Sequence, residues 1–182
     1  MATVGDFLEE VNRLFGFYFD ADMAFALTKR RLEEMQKQLR LGDSNDFSYS
    51  EDLPTGTPEQ VLQKSLHRTT FGALKERMDK SGTDSQLAAQ AMIAFTYHIW
   101  EEKYRGSLTN NAGVPIHDTN SDIMGDLRLI RNSIIHNKGV ADAGVARCKV
   151  LKHFEQGQPI FFTGAIIYEI IRAIRNEFAQ RA

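Results

Sequence analysis

Residues Gly125 to Gly139 read GDLRLIRNSIIHNKG. On a straight helix Leu127, Ile130 and Ile134 share one face, which predicts a helix pointing its apolar side into a bundle. Three polar residues interrupt that helix: Arg131, Asn132 and His136. Asn132 and His136, four apart, share a second face. Arg131 and His136 are five apart, or about 140° around a helix of 3.6 residues per turn. Their cooperation therefore requires the arginine's long reach or a second subunit.

Outward from this stretch the chain reads as helices joined by polar connections. Asp6 to Leu41 places Phe7, Val11, Leu14, Phe15 and Tyr18 at mostly three- and four-residue steps, which predicts one amphipathic helix or a pair, with Gly16 or Asp20 as the place for a bend. Helical spacing favours packing over RNA stacking for Phe7, Phe15 and Tyr18. GDSNDFSYSEDLPTG, residues 42–56, predicts an acidic surface loop. It resembles a calcium loop only superficially, because Phe47 and Ser48 stand where a ligand and the turn glycine are needed. Thr57-Pro58-Glu59-Gln60 predicts a capped helix start and a helix to about Lys80, ended by Ser81-Gly82.

From Asp84 a further helix carries Leu87, Ala88, Ala91, Met92, Phe95, Ile99, Trp100 and Tyr104 on its apolar side, with Gly106 as a stop. Glu101, Glu102 and Arg105 read as a solvated face. Residues 107–120 predict an irregular connection, and Asp118 to Ser121 offer N-caps for the Gly125–Gly139 helix. VADAGVARCKVLKHF is helical or part extended, EQGQP is a turn, and Thr163 caps a last helix striped by Ile167, Ile170, Ile171, Ile174 and Phe178. The fold class is all-α: a bundle of about five helices, with at most a short β-hairpin around Lys149 to Phe162, before the C-terminal helix. We expect a single domain over 1–182, divided into an N-terminal helical arm (1–41), an acidic loop (42–56) and a bundle core (57–182).

The 182 residues are 42% hydrophobic and 25% charged, with a formal net charge of -2. This balance argues against polyanion binding through overall charge, so contact with nucleic acid must be local. Cys148 is the one cysteine; no intrachain disulfide or thiol cluster can form, and a reducing compartment is expected. The start MATVGDFLEEVNRLF lacks a basic segment followed by an apolar one, and no run approaches the roughly 18 apolar residues of a membrane span. We expect a cytoplasmic protein without membrane contact. His67, His98, His117, His136 and His153 lack metal-ligand spacing, and no glycine-rich phosphate loop occurs. Neither a metal nor a cofactor is expected. Arg147 and Lys149 beside Cys148 favour a lowered thiol pKa, but a buried small residue is the stronger reading.

Between Gly125 and His153 six basic residues (Arg128, Arg131, Lys138, Arg147, Lys149, Lys152) face two acids (Asp126, Asp142). A histidine near a helix C-terminus and an arginine within a helix are common without any chemistry. Here the polar trio breaks an apolar helix inside a locally positive stretch. With arginine, asparagine directly after it and histidine five positions on, RNSIIH resembles the signature of the HEPN (higher eukaryotes and prokaryotes nucleotide-binding) superfamily. DLRLIRNSIIHNKG is similar to its signature helix. IWEEKYR before it, and VLKHFEQGQPIFFT with the terminal helix after it, extend the resemblance over residues 60 to 180.

The resemblance implies a helical bundle and metal-independent RNA cleavage at the interface of two such domains. Arg131 and His136 match the two reactive positions and Asn132 the polar residue beside the arginine. Arg128 and Lys138 are expected to bind substrate. The implied partners are RNA, a second copy of the chain, and an inhibitory or regulatory protein if the enzyme is a toxin or antiviral effector.

The chemistry is consistent with these residue types. Cleaving RNA without a metal needs a base for the 2′-hydroxyl, stabilisation of charge on phosphorus oxygens, and an acid for the leaving 5′-oxygen. Histidine suits proton transfer near neutrality, and arginine's planar fork suits phosphate. One histidine is poorly placed to serve both sides of the phosphate at once. A two-fold dimer supplies two. The alternatives are a noncatalytic HEPN-like module binding a nucleotide or partner protein, and a helical adaptor whose motif is a packed helix end.

Overall fold

The first helix is launched by a reciprocal cap. The Thr3 hydroxyl accepts the Asp6 backbone N–H at 3.1 Å, while the Asp6 carboxylate accepts the Thr3 backbone N–H at 2.7 Å. Two orphan donors of the helix start are thereby satisfied. The computed structural model describes residues 2–49, 57, 66–112 and 120–179. Helix α1, Val4–Leu39, is one helix of 36 residues and not a pair.

Next come strands β1 (Asp46–Tyr49) and β2 (His67–Thr70), helix α2 (Phe71–Arg77), and helix α3 (Thr83–Ile99). A π-helical turn, Trp100–Tyr104, carries α3 directly into α4, Arg105–Ala112. Helix α5 (Asp122–His136), a 3-10 turn (Ala143–Arg147) and helix α6 (Gly164–Ala179) complete the described order. The protein is mainly α-helical, with a short antiparallel strand pair ahead of its C-terminal helix. No helix among the described residues is long and apolar enough to cross a membrane.

Packing divides the chain into two compact units, Met1–Asp20 with Gln86–Ala182, and Ala21–Ser85. The division falls inside α1 at Asp20 and not at residue 41. The reason is burial: Phe7, Val11 and Phe15 belong to the same core cluster as Leu127 and Ile130 of α5. Phe7 lies 4.8 Å from Phe178, 5.1 Å from Tyr104 and 5.3 Å from Trp100, centroid to centroid. These tilted ring pairs, each ring buried, anchor the first turns of α1 against the end of α3 and against α6.

Helix α6 follows its sequence pattern. The Thr163 hydroxyl caps it by accepting the Ile166 N–H, and Ile167, Ile170, Ile171, Ile174 and Phe178 are all buried. On α3 the buried face differs from the one expected. Leu87 and Phe95 are 66% and 57% exposed, while Ala89, Ile93 and Thr96 are fully buried. Thr96 tolerates this site because its hydroxyl donates to the Met92 carbonyl at 2.8 Å. The stop expected at Gly106 is absent. The Arg105 N–H reaches back five residues to the Trp100 carbonyl, and the helix continues to Ala112.

The smaller unit holds the second half of α1, the strands and α2. Leu32, Phe71 and Leu74 form its core with Phe47 and Met78 against them. The loop expected over 42–56 is a strand at Asp46–Tyr49, paired from Asp46↔Thr70 to Tyr49↔His67. Phe47 meets Phe71 edge-on at 5.3 Å, giving the pair its apolar side. Of the helix expected over 58–80, residues 58–65, with its start at Pro58, lie outside the described residues; among those described, His67–Thr70 form a strand and Phe71–Arg77 a helix. The two strands therefore lie earlier in the chain than the expected 149–162, where a single bridge, Val140↔Pro159, is found. Gly82 closes the turn after α2, and a Cβ there would collide with the carbonyls of Glu76 and Arg77.

Candidate functional site

Ser121 sets the start of α5: its hydroxyl accepts the Met124 N–H at 3.1 Å. Ile123, Leu127 and Ile130 are fully buried, so the opposite face of the helix points outward. At the C-terminal end the Gly139 N–H bonds back to the Ser133 carbonyl at 3.2 Å, and the chain turns through Lys138 (φ 54) and Gly139 (φ 75). Lysine therefore holds a left-handed position usually given to glycine. The expected stop is confirmed, with Lys138 sharing the turn.

Ser133, buried within the motif, donates to the Leu129 carbonyl and accepts the Asp142 N–H at 3.1 Å. Asp126 does more. Its carboxylate is 2% exposed and accepts the backbone N–H groups of Lys149, Val150 and Leu151 at 2.8, 2.7 and 2.8 Å. These bonds lock the segment after the 3-10 turn onto the motif helix. The sequence carried a signal for this residue, because Asp126 is an acid between the core positions Ile123 and Ile130, where only a satisfied carboxylate is tolerated.

At the outer end of α5 the three motif residues meet. Arg131 Nη1 donates to Asn132 Oδ1 at 3.2 Å and stands 3.5 Å from His136 Nε2. The arginine's reach thus bridges the 140° separation within one chain. Arginine can only donate, so a hydrogen bond here requires the imidazole tautomer that leaves a lone pair on Nε2. Arg131 and Asn132 are half-buried, and His136 is exposed. Arg128, exposed, lies one turn before Asn132 on the same face; Lys138 is exposed beyond the helix end. Neither hydrogen-bonds to the trio.

The positive excess of this stretch is smaller than the sequence count suggested. Lys149 pairs with Asp122 at 2.7 Å, an acid outside the counted window. Cys148 is 6% exposed, and burial first, then Asp126 and Asp142, push its thiol up to about 12. Its role is packing.

A cleft of about 130 Å³ opens beside the N-terminal half of α5, lined among others by Tyr97, Trp100, Glu101, Arg105, Gly125 and Arg128. Glu101 and Arg105 are not a simple solvated face: Arg105 Nη1 bonds both Glu101 oxygens at 2.9 and 3.0 Å, and the Tyr97 hydroxyl donates to Glu101 at 3.3 Å. Burial and then the Glu101 charge raise the Tyr97 pKa, keeping it a donor. The π turn starting at Trp100 gives this end of the helix its phase, a feature no local sequence pattern announces. Among the described residues no group of His, Cys, Asp or Glu gathers as a metal site.

Compared with models of protein families, with curated proteins and with solved structures, the chain matches none.

Proposed function

We propose that the chain is a metal-independent endoribonuclease of the HEPN type, active as a homodimer. The observation that carries this reading is the cluster on the outward side of α5, where Arg131 lies within 3.2 Å of Asn132 Oδ1 and 3.5 Å of His136 Nε2. One His136 takes the proton from a 2′-hydroxyl, whose oxygen attacks the adjacent phosphorus. The P–O5′ bond breaks, and His136 of the partner subunit protonates the leaving oxygen. Arg131 holds the nonbridging oxygens as their charge grows, and Asn132 keeps the guanidinium aimed. The products carry a 2′,3′-cyclic phosphate and a 5′-hydroxyl.

A second subunit is supported by an apolar side chain at the site itself. Ile135, 50% exposed, stands on the same outward face as Arg128 and Asn132. Water contact with such a residue is relieved when a second copy covers it. In that dimer the two His136 side chains lie within about 10 Å, so that one phosphate is in reach of both. As a cytoplasmic toxin or antiviral effector, such an enzyme is held in check by an inhibitory protein partner. The test is incubation of total RNA with the wild type and with His136→Ala in EDTA, followed by mapping of cut ends. Cyclic phosphate ends from the wild type alone support the reading; loss of cutting on adding EDTA overturns it.

A further inference from the structure

Helix α1 carries two large apolar side chains on an outward face: Met23 is 59% and Leu27 54% exposed, one turn apart. Charged residues flank them on that face, Asp20 three positions before Met23 and Arg30 three after Leu27, both exposed. All four lie within about 80° around the helix. Their steps of three, four and three residues are the spacing with which one helix meets another along a seam. Asp20 and Arg30 make no ion pair among the described residues, whereas the adjacent Lys29 is held by Asp79 at 3.0 Å. Nor can Asp20 and Arg30 meet within the chain, since ten helical residues separate them by about 15 Å along the axis.

We infer that this face is a self-association surface, on which α1 of a second copy of the chain lies antiparallel. A two-fold axis level with Phe25 sets Met23 against the partner subunit's Leu27 and Asp20 against the partner subunit's Arg30, and each contact occurs twice. The face is complementary to itself in this orientation alone. Its acid comes before the apolar pair and its base after it, so a parallel copy in register would set Asp20 on Asp20 and Arg30 on Arg30, like charges that repel. Removing the apolar pairs from water supplies the attraction, and the charge pairs at the two ends fix direction and register. Ala24, small and exposed beside the pair, lets the two helices approach closely. Helix α1 holds none of Arg131, Asn132 and His136, so this surface does not rest on the ribonuclease reading or on the α5 contact proposed with it. A chain that uses both contacts assembles beyond a dimer.

Sedimentation equilibrium of the full chain reads the assembled mass. Leu27→Glu is expected to remove the contact and lower that mass by at least about twofold. Asp20→Arg and Arg30→Asp, each of which sets like charges at both ends of the seam, should do the same. The two changes on one chain restore opposite charges at both ends and should recover the wild-type mass, an outcome that a merely destabilised helix would not give. All three side chains are exposed, and circular dichroism melts confirm that each variant stays folded. A mass that Leu27→Glu leaves unchanged overturns the inference, as for a face that takes a different protein. So does a double variant that stays at the mass of the single ones. Ile135→Glu separates the two contacts: a mass lowered by that change and by none of the α1 variants supports the α5 dimer and defeats the α1 surface, and the converse pattern supports the α1 surface alone.

Discussion

Arg131 Nη1 stands 3.5 Å from His136 Nε2 on the same helix, and its guanidinium also holds Asn132 at 3.2 Å. Two contacts from one planar group fix where the fork points. Lysine cannot reproduce this geometry, because an ammonium is a point donor without a plane.

Replacing Arg131 with lysine is accordingly expected to lower kcat/KM for RNA cleavage by about 100-fold, with little effect on the melting temperature of a residue at the rim of its helix. A variant that keeps wild-type cleavage at unchanged stability would show that the planar contact has no part in the reaction.

Asp126 is the structural counterpart of the cluster, since it ties three consecutive backbone N–H groups to the motif helix. Asp126→Ala leaves the buried Leu151 N–H and the part-buried N–H groups of Lys149 and Val150 without this acceptor, at an expected cost of about 3 kcal/mol. Asp126→Asn should cost less, since its one oxygen still accepts while its amide opposes the remaining donors. Urea unfolding of both variants measures the order; an alanine variant as stable as the wild type would remove Asp126 from this role.

The contrast between these two residues shows what the sequence made legible. The stripe from Ile167 to Phe178 follows from three- and four-residue steps alone, with Thr163 as its cap. Arg131, Asn132 and His136 were visible as polar residues in an apolar helix, but their mutual contact depends on an arginine rotamer that no spacing rule specifies. On α3 large side chains misled: Leu87 and Phe95 are exposed while small Ala89 and polar Thr96 are buried, because the face is decided by what the helix meets. The strand pair escaped notice for a related reason. Four-residue strands such as DFSY and HRTT carry no clear alternation, and their pairing joins residues far apart in the chain.

Glu10 links stability to pH. It accepts from Lys103 Nζ and from the Tyr104 hydroxyl, both at 2.7 Å, and those two bonds hold its carboxyl below the ordinary glutamate value of 4.5. A lowered folded-state pKa contributes stability that is complete above the unfolded value and is lost as pH falls through the folded one. Glu10→Gln should therefore cost about 1 kcal/mol at neutral pH, with the difference from the wild type shrinking below about pH 4.5. Thermal melts across pH 3 to 7 test this, and a gap that widens on acidification contradicts it.

Cys148 should resist thiol reagents in the folded protein. With its thiol pushed up to about 12, about one molecule in ten thousand carries a thiolate at pH 8, and the side chain is buried as well. Native protein is expected to label orders of magnitude more slowly than protein unfolded in urea. Rapid stoichiometric labelling of the native state would contradict the packing around Asp126 and Asp142.

In the proposed reaction His136 is the group that moves protons. The most direct measurement is the single-turnover cleavage rate of a defined single-stranded RNA in EDTA, for wild type and His136→Ala at matched folding and oligomeric state. Wild type is expected to cut to 2′,3′-cyclic phosphate ends, with a loss of at least about 100-fold in the variant. A folded His136→Ala protein that cuts at the wild-type rate, or a wild type that does not cut at all, would contradict it.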